Sequence, residues 1–232
     1  MKKIFFFLPL FFILFSLEAQ NAFTFGIKYG FMKPNNINRT AYSYSYARQW
    51  LTTPMPYFGS MRGYELSWQH RGEKIGYEFV YGAIKEVNIA TGPEPAGLTA
   101  YRKIKLRMGG LSSGITAKII DKKHIEVVPS LDLDLYLFSV TTAYSNESTF
   151  AGATEEGVVS AVKFGNTFAV NISLFATKWI GINIRPYYQL PWGKANVEGL
   201  ASYWASGSAN QRDSVKNYGV SGSLIFQFGR DY

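Results

Sequence analysis

Cysteine is absent from the 232 residues, which excludes disulfide frameworks, thiolate metal sites and attachment of lipid to a terminal cysteine. Histidine is nearly absent. The two present, His70 and His124, are distant in sequence and cannot together supply the three or four ligands of a zinc site. Past the first twenty residues there is no run of about 18 consecutive apolar residues, so no ordinary spanning helix is encoded there. No metal, cofactor or catalytic set is expected.

What is present begins with a leader. Lys2 and Lys3 precede an apolar stretch from Ile4 to Leu17 that ends near Ala19, the layout of a secretory signal occupying residues 1–19, with cleavage expected before Gln20. The remaining chain, residues 20–232, is read as one domain. The formal net charge is +8, and it stays basic once Lys2, Lys3 and Glu18 leave with the signal. That sign suits an anionic membrane surface. Nucleic acid is not expected as a partner, because the leader exports the chain and its Lys and Arg residues are scattered.

The mature part alternates with a period of two, the signature of strands. Phe23, Phe25, Ile27, Tyr29 and Phe31 share one face of the first segment, opposite Thr24, Gly26, Lys28 and Gly30. Seven more segments follow: Tyr64 to Trp68, Ile75 to Tyr81, Ile104 to Ile119, Val127 to Leu137, Phe168 to Leu174, Ile180 to Tyr188 and Tyr218 to Phe228. In the fourth strand the apolar parity flips between Ile104, Leu106, Met108 and Leu111, Ile115, which predicts a β-bulge at Gly109-Gly110. Connections alternate long and short, with long ones near residues 32–60, 88–100, 143–157 and 191–216. This rhythm predicts an all-β fold, an eight-stranded antiparallel transmembrane β-barrel of up-and-down topology with both termini periplasmic.

A soluble barrel would place charge outside and hydrophobes within. Here the polar face is mostly Gly, Ser, Thr and Asn with a few long charged residues. It should fill a narrow interior. Inward parity predicts an interior ion network of Lys28, Glu65, Glu78, Arg107, Asp132, Asp134 and Arg185, and also counts Lys103, Lys105 and Lys163. Phe23, Trp68, Trp179 and Phe228 fall at the short-turn end, and Tyr64, Tyr81, Tyr188, Trp192 and Tyr218 toward the long loops, as interfacial girdles.

With these segments, the Ala19-Gln20 junction and a last strand ending in Phe226 and Phe228, the chain resembles the small bacterial outer-membrane β-barrel family that includes PorT-like and OmpA- or OmpX-type barrels. The resemblance covers residues 20–232 and implies residence in the outer membrane and handling by the assembly machinery that reads the C-terminal strand. The tail Gly229-Arg230-Asp231-Tyr232 departs from the pattern, which usually stops on the strand aromatic.

Gly110-Leu111-Ser112-Ser113-Gly114 has the letters of a nucleophile elbow, but such an elbow needs a strand-to-helix turn and a histidine partner. Small residues lining a narrow barrel account for it. Asp132 and Asp134 share a face and fit the ion network better than a cation site. The first long loop is the candidate for partner binding: Arg39, Tyr42, Tyr44, Tyr46, Arg48 and Trp50 combine adaptable aromatic surface with two cations able to meet lipopolysaccharide phosphates. A lid over the barrel mouth explains the same residues. Strands 4 to 6 are longer than the 9 to 11 residues a tilted membrane strand needs, so a sheet extension is expected outside, suited to edge pairing. The function expected is a non-enzymatic outer-membrane barrel whose surface loops make binding, structural or adhesive contacts with lipopolysaccharide or an unknown protein or surface ligand. A narrow porin-like pore is the alternative, and an outer-membrane lipid-modifying enzyme the third reading.

Overall fold

The computed structural model describes residues 20–94, 97–204 and 211–229. The leader and Tyr232 lie outside the described residues. In chain order the elements are β1 (Gln20–Met32), α1 (Asn35–Tyr46), β2 (Ser60–Arg71), β3 (Ile75–Pro93), β4 (Thr99–Ala117), a short β5 (Ile120–Lys122), β6 (Ile125–Ser145), β7 (Glu156–Phe175), β8 (Ile180–Pro191), a short β9 (Ala195–Asn196), α2 (Glu198–Tyr203), a short β10 (Arg212–Asp213) and β11 (Asn217–Phe228). The eight long strands form a ring in which sequence neighbours pair antiparallel and β1 pairs with β11 to close it. Closure leaves no strand edge in the wall, the condition for crossing hydrocarbon with strands.

The ring is staggered. From Phe25 the register runs through Leu66, Tyr81 and Leu111 to Leu135 on β6. In the other direction it runs through Leu224, Ile182 and Leu174 to Ile125, ten residues lower on the same strand. Such a stagger tilts the strands and sets the bore of the cylinder. Inside so narrow a cylinder some wall positions admit no side chain. A β-carbon on Gly63 would lie 1.8 Å from the carbonyl oxygen of Ala83.

Alternation sorts side chains between lipid and lumen. Phe25, Ile27, Leu111, Ile115, Leu133 and Ile182 point outward and are each more than half exposed, while Glu65, Glu78, Asp132 and Arg185 point inward and are buried. A continuous exposed apolar band of this size belongs against lipid. Aromatic pairs edge it: Phe23 with Phe228 and Trp179 with Phe228 at the short-turn end, both 6.3 Å between centroids, and Tyr64 with Tyr81 at 5.9 Å toward the long loops. Among the described residues no helix is long and apolar enough to cross a membrane. The crossing is made by strands.

The expected bulge at Gly109-Gly110 is not there. β4 keeps one unbroken register with β3 and with β6 past both glycines, so odd-numbered residues face outward along its whole length. Ile104, Leu106 and Met108 therefore point into the barrel axis, where they are buried. The apolar parity changes because the surroundings of each face change: above the membrane band the inner side of the wall meets a packed core. The sheet extension is also wider than expected. β3, β4, β6 and β7 run 19, 19, 21 and 20 residues against 12 or 13 for the others, and the connection expected at 88–100 is largely strand. These four form a ridge beyond the band.

The inner face of the ridge is covered by a lid. Ile37, Ala41 and Tyr44 of α1, Leu200 of α2, Trp204, Met55 and Phe58 pack with Ile84, Ile104, Leu106, Phe138 and Val140 of the ridge in one buried cluster. Tyr and Ser are poor helix formers, so α1 owes its existence to this apolar face and to its capping. Its N-terminal amides are capped from across the mouth, Asp213 accepting from the backbone N–H of Asn36 and of Ile37, both at 2.8 Å. An anion there also meets the positive end of the helix dipole. Asp213→Ala strands two amides and should loosen the lid by about 2 kcal/mol. Faster protease cleavage within residues 47–59, in a barrel that still migrates as folded on an unheated detergent gel, is the expected outcome.

Candidate functional site

The lumen contains two chemical layers. Toward the short turns lies an ion network centred on Arg185, whose Nη2 donates to Asp132 Oδ2 at 2.7 Å and Glu78 Oε1 at 3.0 Å, and whose Nη1 donates to Glu65 Oε2 at 3.4 Å. Lys28 Nζ donates to Glu65 Oε2 at 2.7 Å and lies 4.1 Å from the centre of the Tyr187 ring. Neutral groups add to the shells: Ser221 Oγ donates to Glu65 at 2.7 Å, while Gln69 and Asn171 both donate to Glu78 Oε2 at 3.1 Å. Asp134 accepts from Thr167 Oγ1 at 2.7 Å and Gln189 Nε2 at 3.0 Å. Below, Arg71 pairs with Glu126 and bonds to Gln69.

Strand register makes this convergence possible. Glu78, Gly114 and Asp132 are successive partners across β3, β4 and β6, and a β-carbon on Gly114 would come 2.2 Å from Asp132 Oδ1. Two carboxylates thus meet over a residue that has no side chain, and Arg185 reaches them from β8 opposite. This is the role of Gly114 in the serine-containing motif. Ser112 lies within strand β4, partnered in register with Asp134, and both histidines are elsewhere, His70 bonding Asn21 and His124 bonding the Phe175 carbonyl at the short-turn end. No acyl-transfer geometry results.

Above the ions lies the apolar lid core. Between the layers a hollow of about 30 Å³ lined by residues including Lys28, Met108, Tyr136, Gln189 and Asn217 has room for about one water molecule. Six residues of the expected network come together here: Lys28, Glu65, Glu78, Asp132, Asp134 and Arg185. Arg107 does not. With no bulge to turn it inward it is exposed on the outer face, and Lys103 and Lys105 face outward with it. Lys163 also stays outside the network, donating to the Lys194 carbonyl at 2.6 Å.

The first long loop contains helix α1, on which Arg39, Tyr42, Tyr44 and Tyr46 divide by helix face, while Arg48 and Trp50 lie just beyond its end. Tyr44 is buried, its ring 4.2 Å from that of Trp204, and the Arg48 guanidinium covers it from 4.0 Å. Tyr42 and Tyr46 stack on each other at 6.1 Å and are exposed, as is Arg39, while Trp50 is half-buried. The spacing Ile37, Ala41, Tyr44 behind Pro34 was the available signal for this helix.

On the outer face of the ridge Lys103 and Lys105 both pair with Glu155, at 2.7 and 2.6 Å. Their hydrogen bonds hold its carboxyl down at about 2. An acid lowered in this way contributes stability above its unfolded value of 4.5, lost as pH falls through about 2. The clip of loop 146–155 on β4 should therefore persist at pH 4, as the Glu155 side-chain carboxyl resonance in pH-titrated NMR would show. For the lumen, Arg185→Met leaves three buried carboxylates without their shared cation and should cost about 3 kcal/mol or more. Urea unfolding in detergent, followed by heat-modifiable migration, should shift markedly, whereas Lys105→Gln, which leaves Lys103 on the part-exposed Glu155, should shift it only slightly.

No family model and no curated protein matches the sequence. Solved structures similar in fold include Ail, the attachment invasion locus protein of Yersinia pestis, in complex with the heparin analogue sucrose octasulfate, at 11% identity and a TM-score of 0.49 over 91% of this chain and 99% of that one. The outer membrane protein OprG from Pseudomonas aeruginosa follows at 10% and 0.48, over 91% and 97%. Neisserial surface protein A follows at 13% and 0.46, over 92% and 98%. Likeness at this level says nothing about ligand or activity. By its own closed ring, staggered register and outer apolar band, the chain is a small eight-stranded antiparallel transmembrane β-barrel.

Proposed function

We propose that this chain is a non-enzymatic outer-membrane barrel that acts through the surface it presents above the membrane. The observation that carries this reading is the filled lumen, in which the Arg185 ion layer and the lid core stand one above the other along the axis. A solute path would have to break both, and they are built from unrelated interactions. The short turns and both termini then face the periplasm, and the ridge, α1 and the loops face outward.

What the barrel offers a partner is a face. The free edge of β3 in the ridge is occupied by the preceding loop, Thr53 and Thr91 exchanging backbone hydrogen bonds at 2.9 and 3.0 Å and Asn88 donating to the Pro56 carbonyl at 3.2 Å. On the β7 side, Gly199 of α2 lies so close that a β-carbon there would come 2.1 Å from the Val158 carbonyl oxygen. Edge pairing is blocked at these points, which favours binding through the exposed side chains of the ridge and of α1. Arg39, Tyr42 and Tyr46 belong to that surface.

Planar-bilayer recordings of the purified barrel should show no steady conductance. A variant lacking residues 35–58 should remain closed as well, since the ion layer does not depend on α1. A reproducible open channel in the intact protein would overturn the reading in favour of a pore. Alteration of lipid A or phospholipid by the purified barrel, abolished by Ser112→Ala or Asp132→Asn, would overturn it in favour of an enzyme.

A further inference from the structure

Three cations line up on the outside of the barrel where the apolar band ends. Arg62 on β2, Lys85 on β3 and Arg107 on β4 are direct register partners in succession, and all three are exposed. Adjacent strands lie about 4.8 Å apart, so the row spans roughly 10 Å. Like charges set directly opposite each other in a sheet are mutually destabilising, and a sheet normally relieves them with a carboxylate. Among the described residues none of the three makes a salt bridge. Lys103 and Lys105, higher on β4, share the single carboxylate of Glu155, whereas no carboxylate pairs with the lower row among the described residues.

The surroundings of the row say what kind of anion fits. One step below it on the same outward face come Tyr64, Ala83, Gly109 and Leu137 in register. Ala83 and Gly109 are too small to fill the wall between Tyr64 and Leu137, and a channel remains. A hollow of about 330 Å³ lies against Arg62, Tyr64, Ala83, Lys85, Lys105 and Arg107, and a second of about 160 Å³ against Tyr81, Ala83, Arg107, Gly109 and Leu137. Cations stand above and a narrow apolar channel runs down into the band, beside the hydroxyls of Tyr64 and Tyr81, which are 3.3 Å apart. A soluble anion would use the cations and leave the channel empty. A lipid uses both.

We infer that Arg62, Lys85 and Arg107 form a binding site for the phosphorylated headgroup of an outer-leaflet lipid, one of whose acyl chains lies over Ala83 and Gly109. The two guanidinium groups bind phosphate oxygens in pairs, and the lysine between them acts as a point charge. The site rests on the outer-membrane placement proposed above, and it makes no use of α1 or of the lumen.

The test uses the full mature chain released from detergent micelles in native mass spectrometry, with lipid A, dephosphorylated lipid A or phosphatidylcholine added. The expected result is retention of lipid A by the wild type, retention about tenfold lower for the triple variant Arg62→Gln/Lys85→Gln/Arg107→Gln, and wild-type retention for Lys74→Gln/Lys178→Gln, two exposed cations at the short-turn end. Ala83→Leu, which keeps all three charges and fills the channel, should also weaken retention. Heat-modifiable migration verifies that each variant is folded. Equal retention of lipid A and its dephosphorylated form, or by the triple variant and the wild type, would overturn the site. So would full displacement by millimolar inorganic pyrophosphate, which would make the anion a soluble one. Failure in any of these ways leaves the conductance result untouched, so the loss of this site and the loss of the surface-acting barrel are separable.

Discussion

Every feature of this protein follows from closing a sheet of eight strands with a ten-residue stagger. In hydrocarbon an unpaired backbone amide or carbonyl costs several kcal/mol, so the ring must close. Once it is closed at this strand number and stagger, the interior is narrow and its contents are constrained. Small residues become compulsory where the wall approaches itself, as at Gly63, and where side chains must cross over a neighbouring strand, as at Gly114. The ion network depends on the second of these, because Glu78 and Asp132 could not approach one another over a larger residue.

The same wall encloses two different interiors because its strands outlast the membrane. Within the band, inward positions are polar and must partner one another, four carboxylates sharing Lys28, Arg185 and neutral donors, since a buried charge without a partner is the costliest occupant available. Beyond the band the outward face meets water and the inward face meets the lid, so hydrophobes move inside without any change of register. Ile104, Leu106 and Met108 are as apolar as Leu111 and Ile115 on the same strand, yet they serve opposite sides of the sheet. Hydrophobicity alone does not say which side of a membrane protein's wall a residue faces. The depth of the residue along the strand does.

That ambiguity marks the limit of what could be read in advance. Strand number, topology, the lipid-facing side and most of the lumenal charges were legible, because lipid contact imposes strict alternation and a small barrel interior is polar. The parity flip in β4 was legible too, but a bulge and a change of environment produce the same letters, and only the unbroken pairing with β3 and β6 separates them. Arg107 was misplaced as a consequence, since its side follows from the parity of Met108. The length of β3 was hidden because the alternation blurs in its upper half, where Lys85, Val87, Ile89 and Thr91 face outward opposite Ile84, Glu86, Asn88 and Ala90. Helix α1 lay in a segment rich in Tyr and Ser whose local preferences do not favour a helix. Its stability is tertiary, supplied by the ridge beneath and by Asp213 from the far end of the chain.

Ring and lid are thus held by interactions of different kinds, and this bears on how such a protein can change. The ring is secured by backbone pairing around a closed circuit and by charges that cannot be exchanged singly. The lid rests on apolar packing, one cap and a few loop hydrogen bonds, which places it among the elements that open at low free-energy cost. Substitutions on the exposed side of α1 or on the outer face of the ridge touch neither the closure nor the charge balance. The surface can therefore acquire new contacts while the cylinder stays as it is, and a row of uncompensated cations at the membrane boundary is tolerable because the wall behind it draws none of its stability from them.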